Sequence, residues 1–314
     1  MLGQEEAARG RSVHDQPLVE AIIVSYDSAS VLPACIEALK QDGAQVVVVD
    51  NASTDGSADL AESLGARVIR NTCNEGYGRA NNIGAHAARS EWILICNPDA
   101  VLDHGALELL LEAGNRYSDA ALLAPRIVEP DGRFFFQFRS LLSPYLANPT
   151  GVRHFPEGDC CVPFLSGAVL LVRREVFLAI NGFDSNIFLF FEDDDLCRRI
   201  IDAGHSLVHV HEAVARHQRG GSSAPSLARA FTARWHLAWS RAYVSHKYGL
   251  KSPALTMALL NSLKALGSCL ILNRKLAARY GGSAMGAWAW LTGRNALSRQ
   301  GLSDATPQGK TGLA

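Results

Sequence analysis

The sequence of 314 residues lacks the marks of several common protein classes. Its seven cysteines are scattered and form no Cys-x-x-Cys pair, which argues against a zinc ribbon or a secreted disulfide framework and favours reduced thiols in the cytoplasm. Lys and Arg number 30 against 31 Asp and Glu, so the chain has no overall basic charge with which to bind nucleic acid. Residues 1–17 contain no apolar segment of a secretory signal, and they predict a disordered tail.

The sequence does contain a regular alternation of apolar runs and helical patterns. Continuous β-branched runs such as QVVVV at 45–49 are typical of strands that are buried on both faces of a parallel sheet. Strands are predicted at 19–25, 45–49, 67–70 and 92–96, and helices at 28–41, 55–64, 78–89 and 105–117. This order predicts an α/β fold with a doubly wound, mainly parallel sheet, whose ligand crevice lies beyond the carboxyl ends of the strands.

The middle of the chain is less regular. A turn signal at 129–133, followed by aromatic residues, predicts a hairpin over 122–139. The other predictions here are a loop at 140–161, a strand at 164–173, and an aromatic strand joined to a helix over 188–204, with Leu196, Ile200 and Ile201 on the inner side of that helix.

The last part of the chain, residues 223–314, is predicted to be a helical extension. Helical patterns cover 229–248 and 255–280. The stretch 253–272 is nearly apolar, but polar residues interrupt it and make it marginal as a membrane-spanning helix. Basic residues at its two ends fit a helix that lies in a membrane surface, contacted through residues 229–290. A helical pair packed on the core is the alternative.

Polar clusters follow three of the predicted elements. Asp50, after the second strand, could accept hydrogen bonds from a pyrimidine or a ribose, and the residues after it could cap the next helix. Arg79, in a glycine-containing stretch at 71–82, could offer a cation to a phosphate. Asp99, in the turn 97–99, could ligate Mg²⁺ or Mn²⁺ together with a substrate diphosphate. Taken singly, each cluster is also explained as an ordinary turn.

Four consecutive acidic residues, 192–195, open a predicted helix. The helix dipole favours acidic residues in a first turn, but it does not explain four of them. At helical pitch Asp193 shares a face with the apolar residues of the helix, while Asp194 and Asp195 point elsewhere. Asp193 is therefore the candidate general base, and Glu192 and Asp195 would shape its surroundings. Repulsion within the run should raise some of these pKa values.

His217 stands beside two arginines at the start of a glycine-rich loop, a setting that suits a metal ligand or a phosphate contact. His209 and His211 alternate along a predicted strand and are interpreted as structural. The histidines of this region lack the partners and the spacing of a zinc site.

Taken together and in this order, the clusters resemble family 2 glycosyltransferases, in particular the rhamnosyltransferase-like branch that builds bacterial surface polysaccharides. The resemblance runs from residue 18 to about residue 222 and is carried by VVDNASTDGS, NEGYGRANNIGAHAA, NPDA, FLFFEDDDLCRRI and HQRGGSS. It implies a GT-A fold for residues 18–222. It also implies an inverting transfer of a sugar, with rhamnose expected, from a nucleotide-diphospho-sugar to a hydroxyl acceptor.

The resemblance also assigns roles to individual residues. It implies that Asp193 and Glu192 are catalytic and that Asp99 and His217 hold a divalent metal, Mg²⁺ or Mn²⁺. The residues that it implies for binding the nucleotide-sugar are Ser25, Tyr26, Asp27, Asp50, Asn51, Ser53, Asn74, Gly76, Arg79, Asn81, Asn97 and Arg219. The expected partners are a dTDP- or UDP-linked donor and a saccharide or lipid-linked saccharide acceptor. The expected location is the cytoplasm, at the inner face of the plasma membrane.

One residue departs from the family pattern. Asn97 stands where the family's metal motif often has an aspartate, so with one negative charge less the metal is expected to bind more weakly or only with the donor. A sugar-phosphate nucleotidyltransferase would need a basic, glycine-rich loop after the first strand, and the loop SYDSASVLP has neither glycine nor a basic residue. A dehydrogenase would need G-x-G-x-x-G there. The remaining alternative is a non-catalytic membrane-surface scaffold with a vestigial donor pocket, against which the intact acidic run argues.

Overall fold

The computed structural model describes residues 18–137, 140–142, 154–218 and 226–302. Within these ranges the strands are β1 Val19–Ser25, β2 Gln45–Asp50, β3 Arg67–Arg70, β4 Trp92–Cys96, β5 Ala100–Leu102, β6 Ala120–Val128, β7 Phe134–Phe135, β8 Cys160–Cys161, β9 Val169–Arg173 and β10 Ser206–His217. The helices are α1 Leu32–Gln41, α2 Ser57–Ser63, α3 Tyr77–Ala87, α4 Ala106–Arg116, α5 Arg174–Ala179, α6 Glu192–Asp202, α7 Leu227–Lys247, α8 Ala254–Leu270 and α9 Arg274–Leu291. The predicted tail 1–17, Arg219 and half of the predicted loop 140–161, residues 143–153, lie outside the described residues.

One sheet runs through the molecule in the order β3-β2-β1-β4-β9-β6-β10-β5. Strands β3, β2, β1 and β4 are parallel, and so are β6 and β10, whereas β9 runs antiparallel between β4 and β6. The predicted hairpin is present as β6 paired with β7 across the turn at 129–133. The doubly wound, mainly parallel sheet predicted from the sequence is confirmed.

Helices cover both faces of the sheet. Leu39 of α1 and Leu110 of α4 belong to the core on one face, and Phe177 of α5 and Leu196 of α6 belong to the core on the other. The continuous apolar runs of β1, β2 and β4 are buried accordingly, with side chains pointing into both cores. Because both faces are covered, ligands can approach the sheet only at its ends, where the loops lie.

Two predicted strands differ from the structure. The strand predicted from residue 164 begins only at Val169. The aromatic segment before α6 is a turn, because Phe190 and Phe191 have φ angles of 70° and 66°, in the left-handed region. Tertiary contacts hold this turn: the Phe188 carbonyl accepts a hydrogen bond from the N–H of Tyr77, and its ring stacks on His236. High strand propensity was therefore overridden by packing.

Two element boundaries and the placement of one side chain also differ from the predictions. Helix α1 begins at Leu32, because the backbone carbonyl of Ser28, and not its side chain, accepts the N–H of Leu32. In α6, Ile201 is 39% exposed, so it does not lie on the inner side as predicted. His217 ends β10 and does not begin a loop, since it pairs with Ala100 of β5.

The helical pattern predicted at 255–280 is two helices. It breaks at Leu272, which has a φ angle of 55°, and α9 then begins where the side chain of Asn273 accepts the N–H of Leu276. Helices α7 and α9 pack together through Trp239 and Trp290, whose ring centroids are 5.6 Å apart. Among the described helices, none has both the length and the apolar character needed to cross a bilayer.

Candidate active site

The carboxyl ends of β1 and β2 leave two polar atoms without partners. Ser25 and Asp50 are paired in the sheet register, and both side chains are buried. One carboxylate oxygen of Asp50 accepts the N–H of Ser53 at 3.0 Å, but the other, like the Ser25 hydroxyl, has no hydrogen-bond partner among the residues described. Buried polar atoms without partners are costly, so this pair is ready to bind a polar ligand group such as the N–H of a base.

Asp27, Ser53 and Tyr26 form the rim beside this pair. The backbone N–H of Asp27 donates to the Ser53 hydroxyl at 3.0 Å. The Asp27 carboxylate accepts the N–H of Thr54 at 2.9 Å and forms an ion pair with Arg229 of α7, also at 2.9 Å. Tyr26 is 43% exposed. Arg229 was not predicted, because no local pattern connects it with a residue about two hundred positions earlier.

Several residues predicted to bind the donor make hydrogen bonds that hold neighbouring loops together. The amide N–H of Asn51 donates to the Gly76 carbonyl at 3.1 Å, and its oxygen accepts from Asn71 at 2.8 Å. The side chain of Asn74 accepts the N–H of Gly76 at 2.9 Å. Gly76 has a φ angle of 83°, and a Cβ there would overlap the backbone of Phe188. The close approach that this glycine permits is therefore to the protein itself.

Arg79 and Asn81, in the glycine-containing stretch 71–82, also have contacts within the protein. The guanidinium of Arg79 pairs with the Glu75 carboxylate at 2.7 Å, so the cation that was predicted for a phosphate has an ion-pair partner in this structure. Asn81 is fully buried in α3 and donates to the Tyr77 carbonyl at 3.0 Å. Its side-chain oxygen is buried without a hydrogen-bond partner in the described part of the chain.

The predicted metal residues lie together where β10 meets the start of β5. The His217 imidazole is 3.2 Å from the Asp99 carboxylate and 3.4 Å from the Asn97 amide. The N–H of Gln218 donates to the Asp99 carbonyl at 3.0 Å and ties the end of β10 to this turn. Arg219 lies outside the described residues.

The chemistry of these side chains fits a divalent cation. Carboxylate and amide oxygens suit Mg²⁺ and Mn²⁺, and an imidazole nitrogen is a better ligand for Mn²⁺ than for the harder Mg²⁺. Within the described ranges, however, no group of three or more His, Cys, Asp and Glu side chains could hold a metal. Two side chains such as Asp99 and His217 would fill only part of the coordination shell of a divalent cation.

The first two acidic residues of α6 have unequal surroundings. Glu192 is 7% exposed, and one of its oxygens has no hydrogen-bond partner within the described structure. Burial, and then the charge of Asp193, raise the pKa of Glu192 to about 8. Asp193 accepts the N–H groups of Gly167 and Asp194 at 3.1 and 3.0 Å, while burial, and then the charge of Asp194, raise its pKa to about 6. At neutral pH Asp193 is thus the ionised member of the pair.

The last two acidic residues of the run have structural partners. Asp194 accepts the N–H of Leu141 at 2.7 Å. Asp195 has no exposed surface and binds Arg199 at 2.7 Å and Lys247 of α7 at 2.5 Å. Asp195 thus connects α6 to α7.

Tyr77 is a residue of the site that the sequence did not identify. Its hydroxyl donates to the Gly167 carbonyl at 2.6 Å, and the N–H of Gly167 binds Asp193. The pKa of Tyr77 is raised by burial and then by the charges of Glu192 and Asp193, so the hydroxyl stays protonated as a donor. Only its position before a helix, between two glycines, could have drawn attention to it.

A short segment joins the metal residues to the base. The carbonyl of Ala168 accepts the N–H of Asn97 at 2.9 Å, and the preceding residue, Gly167, binds Asp193. Since β4 also lies beside β1, the turn at Asn97, the base at Asp193 and the pair Ser25–Asp50 share one edge of the sheet. Four of the predicted site residues, Ser25, Asp50, Asn97 and Asp193, are therefore brought to a common edge.

An apolar cleft adjoins the base. It is lined by Ala124, Pro125, Ile127, Phe135, Phe136, Gln137, Phe164, Leu165, Ser166 and His209. Ser166 immediately precedes Gly167, which places the cleft beside Asp193. Burial lowers the pKa of His209 to about 4, so its ring is neutral, and its Nε2 has no partner among the described side chains and backbone. The cleft thus has aromatic walls and a neutral histidine ring among its lining residues.

Comparison with known proteins shows to which family this chain belongs. The family model described as "Glycosyl transferase family 2" matches residues 20–180, and one described as "N-terminal domain of galactosyltransferase" matches residues 161–219. The N-acetylglucosaminyl-diphospho-decaprenol L-rhamnosyltransferase of Mycobacterium tuberculosis is 31% identical over 207 residues, which cover 57% of this chain and 67% of that protein. Rhamnosyltransferase WbbL of Escherichia coli K12 is 26% identical over 249 residues, covering 73% and 94%.

Solved structures have the same fold at low sequence identity. The mannosyltransferase PcManGT from Pyrobaculum calidifontis, in complex with GDP-Man and Mn²⁺, has a TM-score of 0.53 and is 15% identical, covering 88% of this chain and 87% of that one. GalNAc-T7 with UDP, GalNAc and Mn²⁺ has a TM-score of 0.54 and is 17% identical, covering 68% and 47%. The predicted GT-A fold is confirmed. The chain is a glycosyltransferase that belongs to glycosyl transferase family 2 and is similar to rhamnosyltransferases of that family.

Proposed function

We propose that this enzyme transfers a sugar, with inversion at the anomeric carbon, from a dTDP- or UDP-linked donor to a hydroxyl group in the synthesis of bacterial surface polysaccharide or glycolipid. The observation that carries the proposal is the carboxylate of Asp193, which accepts the N–H groups of Gly167 and Asp194. It lies on the sheet edge that also carries Asp99, His217 and the unpartnered Ser25–Asp50 pair. One edge thus holds a base, cation ligands and a hydrogen-bonding pocket.

For the donor, we propose that the base of the nucleotide binds to Asp50 and Ser25. The ring N–H of uracil or thymine would donate to the unpartnered Asp50 oxygen, which removes the cost of leaving that atom buried and unpaired. Rhamnose is the proposed sugar, because several of the relatives are named as rhamnosyltransferases, one of them a dTDP-rhamnosyl transferase. A lipid-linked saccharide is the proposed acceptor, supported by the decaprenol-linked substrate in the name of one relative.

For the metal, we propose that Asp99 and His217 hold Mg²⁺ or Mn²⁺, with Asn97 contributing its carbonyl oxygen. When bound, such a cation stabilises the negative charge of a departing diphosphate. Asp99 would supply the single negative charge of this set, while His217 and Asn97 would contribute neutral ligand atoms.

The chemical step that this arrangement supports is a single in-line displacement. The acceptor hydroxyl oxygen forms a bond to the anomeric carbon while the bond from that carbon to the diphosphate oxygen breaks, and the nucleoside diphosphate leaves with the electron pair. Asp193 takes the proton of the attacking hydroxyl and later releases it to solvent. Two backbone N–H groups hold the Asp193 carboxylate, and the cleft beside Ser166 is the place that we assign to the acceptor.

Replacing the proposed base tests this mechanism directly. We expect Asp193→Asn to lower kcat by about 10²–10⁴-fold, the usual contribution of a positioned general base. Transfer is measured as release of nucleoside diphosphate in the presence of acceptor, with folding checked by thermal unfolding. Asp202→Asn, at the far end of α6 in an exposed pair with Arg198, is the matched control and should keep wild-type turnover. Near-wild-type turnover of the Asp193 variant would remove Asp193 from this role.

Metal binding can be tested without turnover. We expect Mn²⁺ to raise Tm more strongly in the presence of UDP or dTDP than alone, because Asp99, His217 and Asn97 leave coordination positions for diphosphate oxygens. Asp99→Asn should abolish this extra shift. Asp103→Asn, a nearby carboxylate paired with Arg216, should not change it. An equal shift in the Asp99 variant would show that the cation binds elsewhere.

A further inference from the structure

The near-neutral net charge of the chain conceals a strongly basic helical segment. Residues 226–302 carry eleven Lys and Arg and contain neither Asp nor Glu, which leaves nineteen basic residues with all 31 acidic residues in the rest of the chain. The net charge of the whole chain does not reveal this separation of charge. This separation gives α7, α8 and α9 a positive charge of their own.

Helix α8 exposes an apolar ridge within this segment. We call the leucine ridge the five residues Leu255, Leu259, Leu263, Leu266 and Leu270, which recur at spacings of four and three and are between 49% and 77% exposed. Ile271 and Leu272 continue it at 70% and 86%. The opposite side of α8, with Ala254, Ala258 and Ser268, is buried. Helix α8 therefore exposes its large apolar side chains, whereas a surface helix in water usually buries its apolar side chains and exposes polar ones.

Cations surround the leucine ridge. Lys251 precedes α8, Lys264 lies within it, and Arg274, Lys275 and Arg279 follow it; all five are exposed, and no ion pair joins any of them to another described residue. Trp288, on the neighbouring helix α9, is 41% exposed. Exposed leucines with a tryptophan beside them and cations at both ends are the composition of helices that lie in a membrane interface.

We propose that the leucine ridge docks on the surface of an anionic phospholipid bilayer, with α8 lying in the membrane plane. Charge complementarity selects this occupant: a second copy would bring an equally basic segment against this one, whereas anionic lipid attracts it. Because no helix within 226–302 is able to cross a bilayer, the contact is peripheral.

Contacts made by α7 connect the docked face to the active site. Lys247, near the end of α7, pairs with Asp184 and with Asp195 of α6, the helix that begins with the proposed base. At the other end, Arg229 pairs with Asp27 on the rim of the donor pocket. Docking of α8 would therefore hold the site at a constant distance from the lipid surface. Such positioning would bring the site close to a lipid-linked acceptor. This advantage rests on the proposed function, but the docking of α8 does not.

Flotation of the full chain with lipid vesicles tests the proposal. We expect binding to vesicles of phosphatidylcholine mixed with phosphatidylglycerol, and weaker binding to phosphatidylcholine alone. The double variant Leu259→Glu/Leu263→Glu should lose binding, whereas Leu109→Glu, on the exposed side of α4, should keep it. Arg274→Glu/Lys275→Glu should lose the preference for phosphatidylglycerol, whereas Arg89→Glu, an exposed cation of the sheet region, should keep it. Unchanged Tm values show that the variants fold.

Two results would overturn the docking proposal. One is wild-type protein that does not float with either vesicle. The other is a dimer, detected by light scattering, that the Leu259→Glu/Leu263→Glu variant dissociates while vesicle binding is unaffected, which would make the ridge a contact between copies. Sugar transfer to a soluble acceptor is measured in parallel. If transfer is normal and flotation fails, only the docking is wrong; if flotation succeeds and transfer to every acceptor fails, the proposed function is in question.

Discussion

Glu192 and Asp193 are neighbours in the chain but have different means of stabilising a negative charge. Asp193 receives two backbone N–H groups, while one oxygen of Glu192 is buried without a partner in the described structure. Desolvation is the largest cause of both raised pKa values, and the pKa of Glu192 is raised further than that of Asp193. The pair thus has one proton near neutral pH, and its environment assigns that proton to Glu192.

This difference predicts how stability depends on pH. The pKa of Glu192 is raised from 4.5 to about 8, so the folded state holds this proton more tightly than the unfolded state, and folding free energy is lost as pH rises between these values. The Glu192→Gln substitution introduces a side chain that does not ionise, so the variant lacks this pH-dependent loss of folding free energy. We expect the Tm of this variant minus that of the wild type to increase from pH 5 to pH 9, measured by thermal unfolding in matched buffers. A constant difference would show that Glu192 is not desolvated.

The acidic run is evident in the sequence, and helical pitch singled out Asp193 as its inward-facing member. In the structure Asp194 and Asp195 are more buried than Asp193, because they bind partners from other segments. The sequence did not predict the order of the two pKa values, because that order depends on which N–H groups reach each carboxylate. The group that binds Asp193 is Gly167, from a loop 26 residues earlier, and Tyr77 is a further 90 residues away along the chain from that loop. Such contacts leave no local pattern.

At the scale of elements, α6 and α7 are joined by buried charges. Lys247 of α7 lies between the carboxylates of Asp184 and Asp195, at 2.6 and 2.5 Å, and both carboxylates are buried. Tyr243 and Tyr248, also near the end of α7, donate to Asp184 and Asp195. The sequence placed both helices but contained no sign that they touch.

Removing the shared cation should destabilise the protein. We expect Lys247→Met to lower the free energy of unfolding by about 3 kcal/mol, the low end for breaking a buried ion pair, because Asp195 keeps Arg199 as a partner. Urea unfolding at neutral pH measures this change. Lys251→Met, an exposed cation four residues later, should change the unfolding free energy by less than about 0.5 kcal/mol. Equal effects of the two substitutions would mean that the Lys247 pairs contribute no stability.

Elements also differ in how well local sequence determined them. The strands β1, β2 and β4 follow directly from continuous apolar runs, and all three were predicted. The aromatic segment 188–191 has equally high strand propensity but forms a turn, because Phe188 packs on Trp235 and Trp239 of α7 and two residues adopt left-handed backbone angles. Propensity is decisive only where tertiary contacts agree with it.

At the scale of the whole molecule, the helical segment completes the core on the side of α6. Phe188 shares a cluster with Trp235 and Trp239, and Asp184 and Asp195 depend on Lys247. The sequence-based division at residue 222, between a glycosyltransferase domain and a helical extension, remains a prediction. The contacts across this division indicate that its first part needs the second.

A chain ended after residue 222 tests this dependence. We expect it to be insoluble or aggregated, because it would expose Phe188 and remove Lys247, the cation that the buried carboxylates of Asp184 and Asp195 share. Size-exclusion chromatography of the soluble fraction, beside the full chain, gives the result. A monodisperse product with the Tm of the full chain would instead establish that residues 18–222 fold by themselves.

The sequence by itself determined the order of strands and helices, the placement of polar residues at strand ends, and the family resemblance. These are local properties, set by the period of apolar residues and by short motifs. The contacts that each site residue makes with the rest of the protein follow only from the tertiary structure. It engaged Asn51 and Asn74 in bracing loops, paired Asp27 with Arg229, and turned the leucine ridge outward. Each of these features depends on which distant segments of the chain contact each other. The packing of those segments then sets which charged groups are buried and which apolar side chains stay exposed.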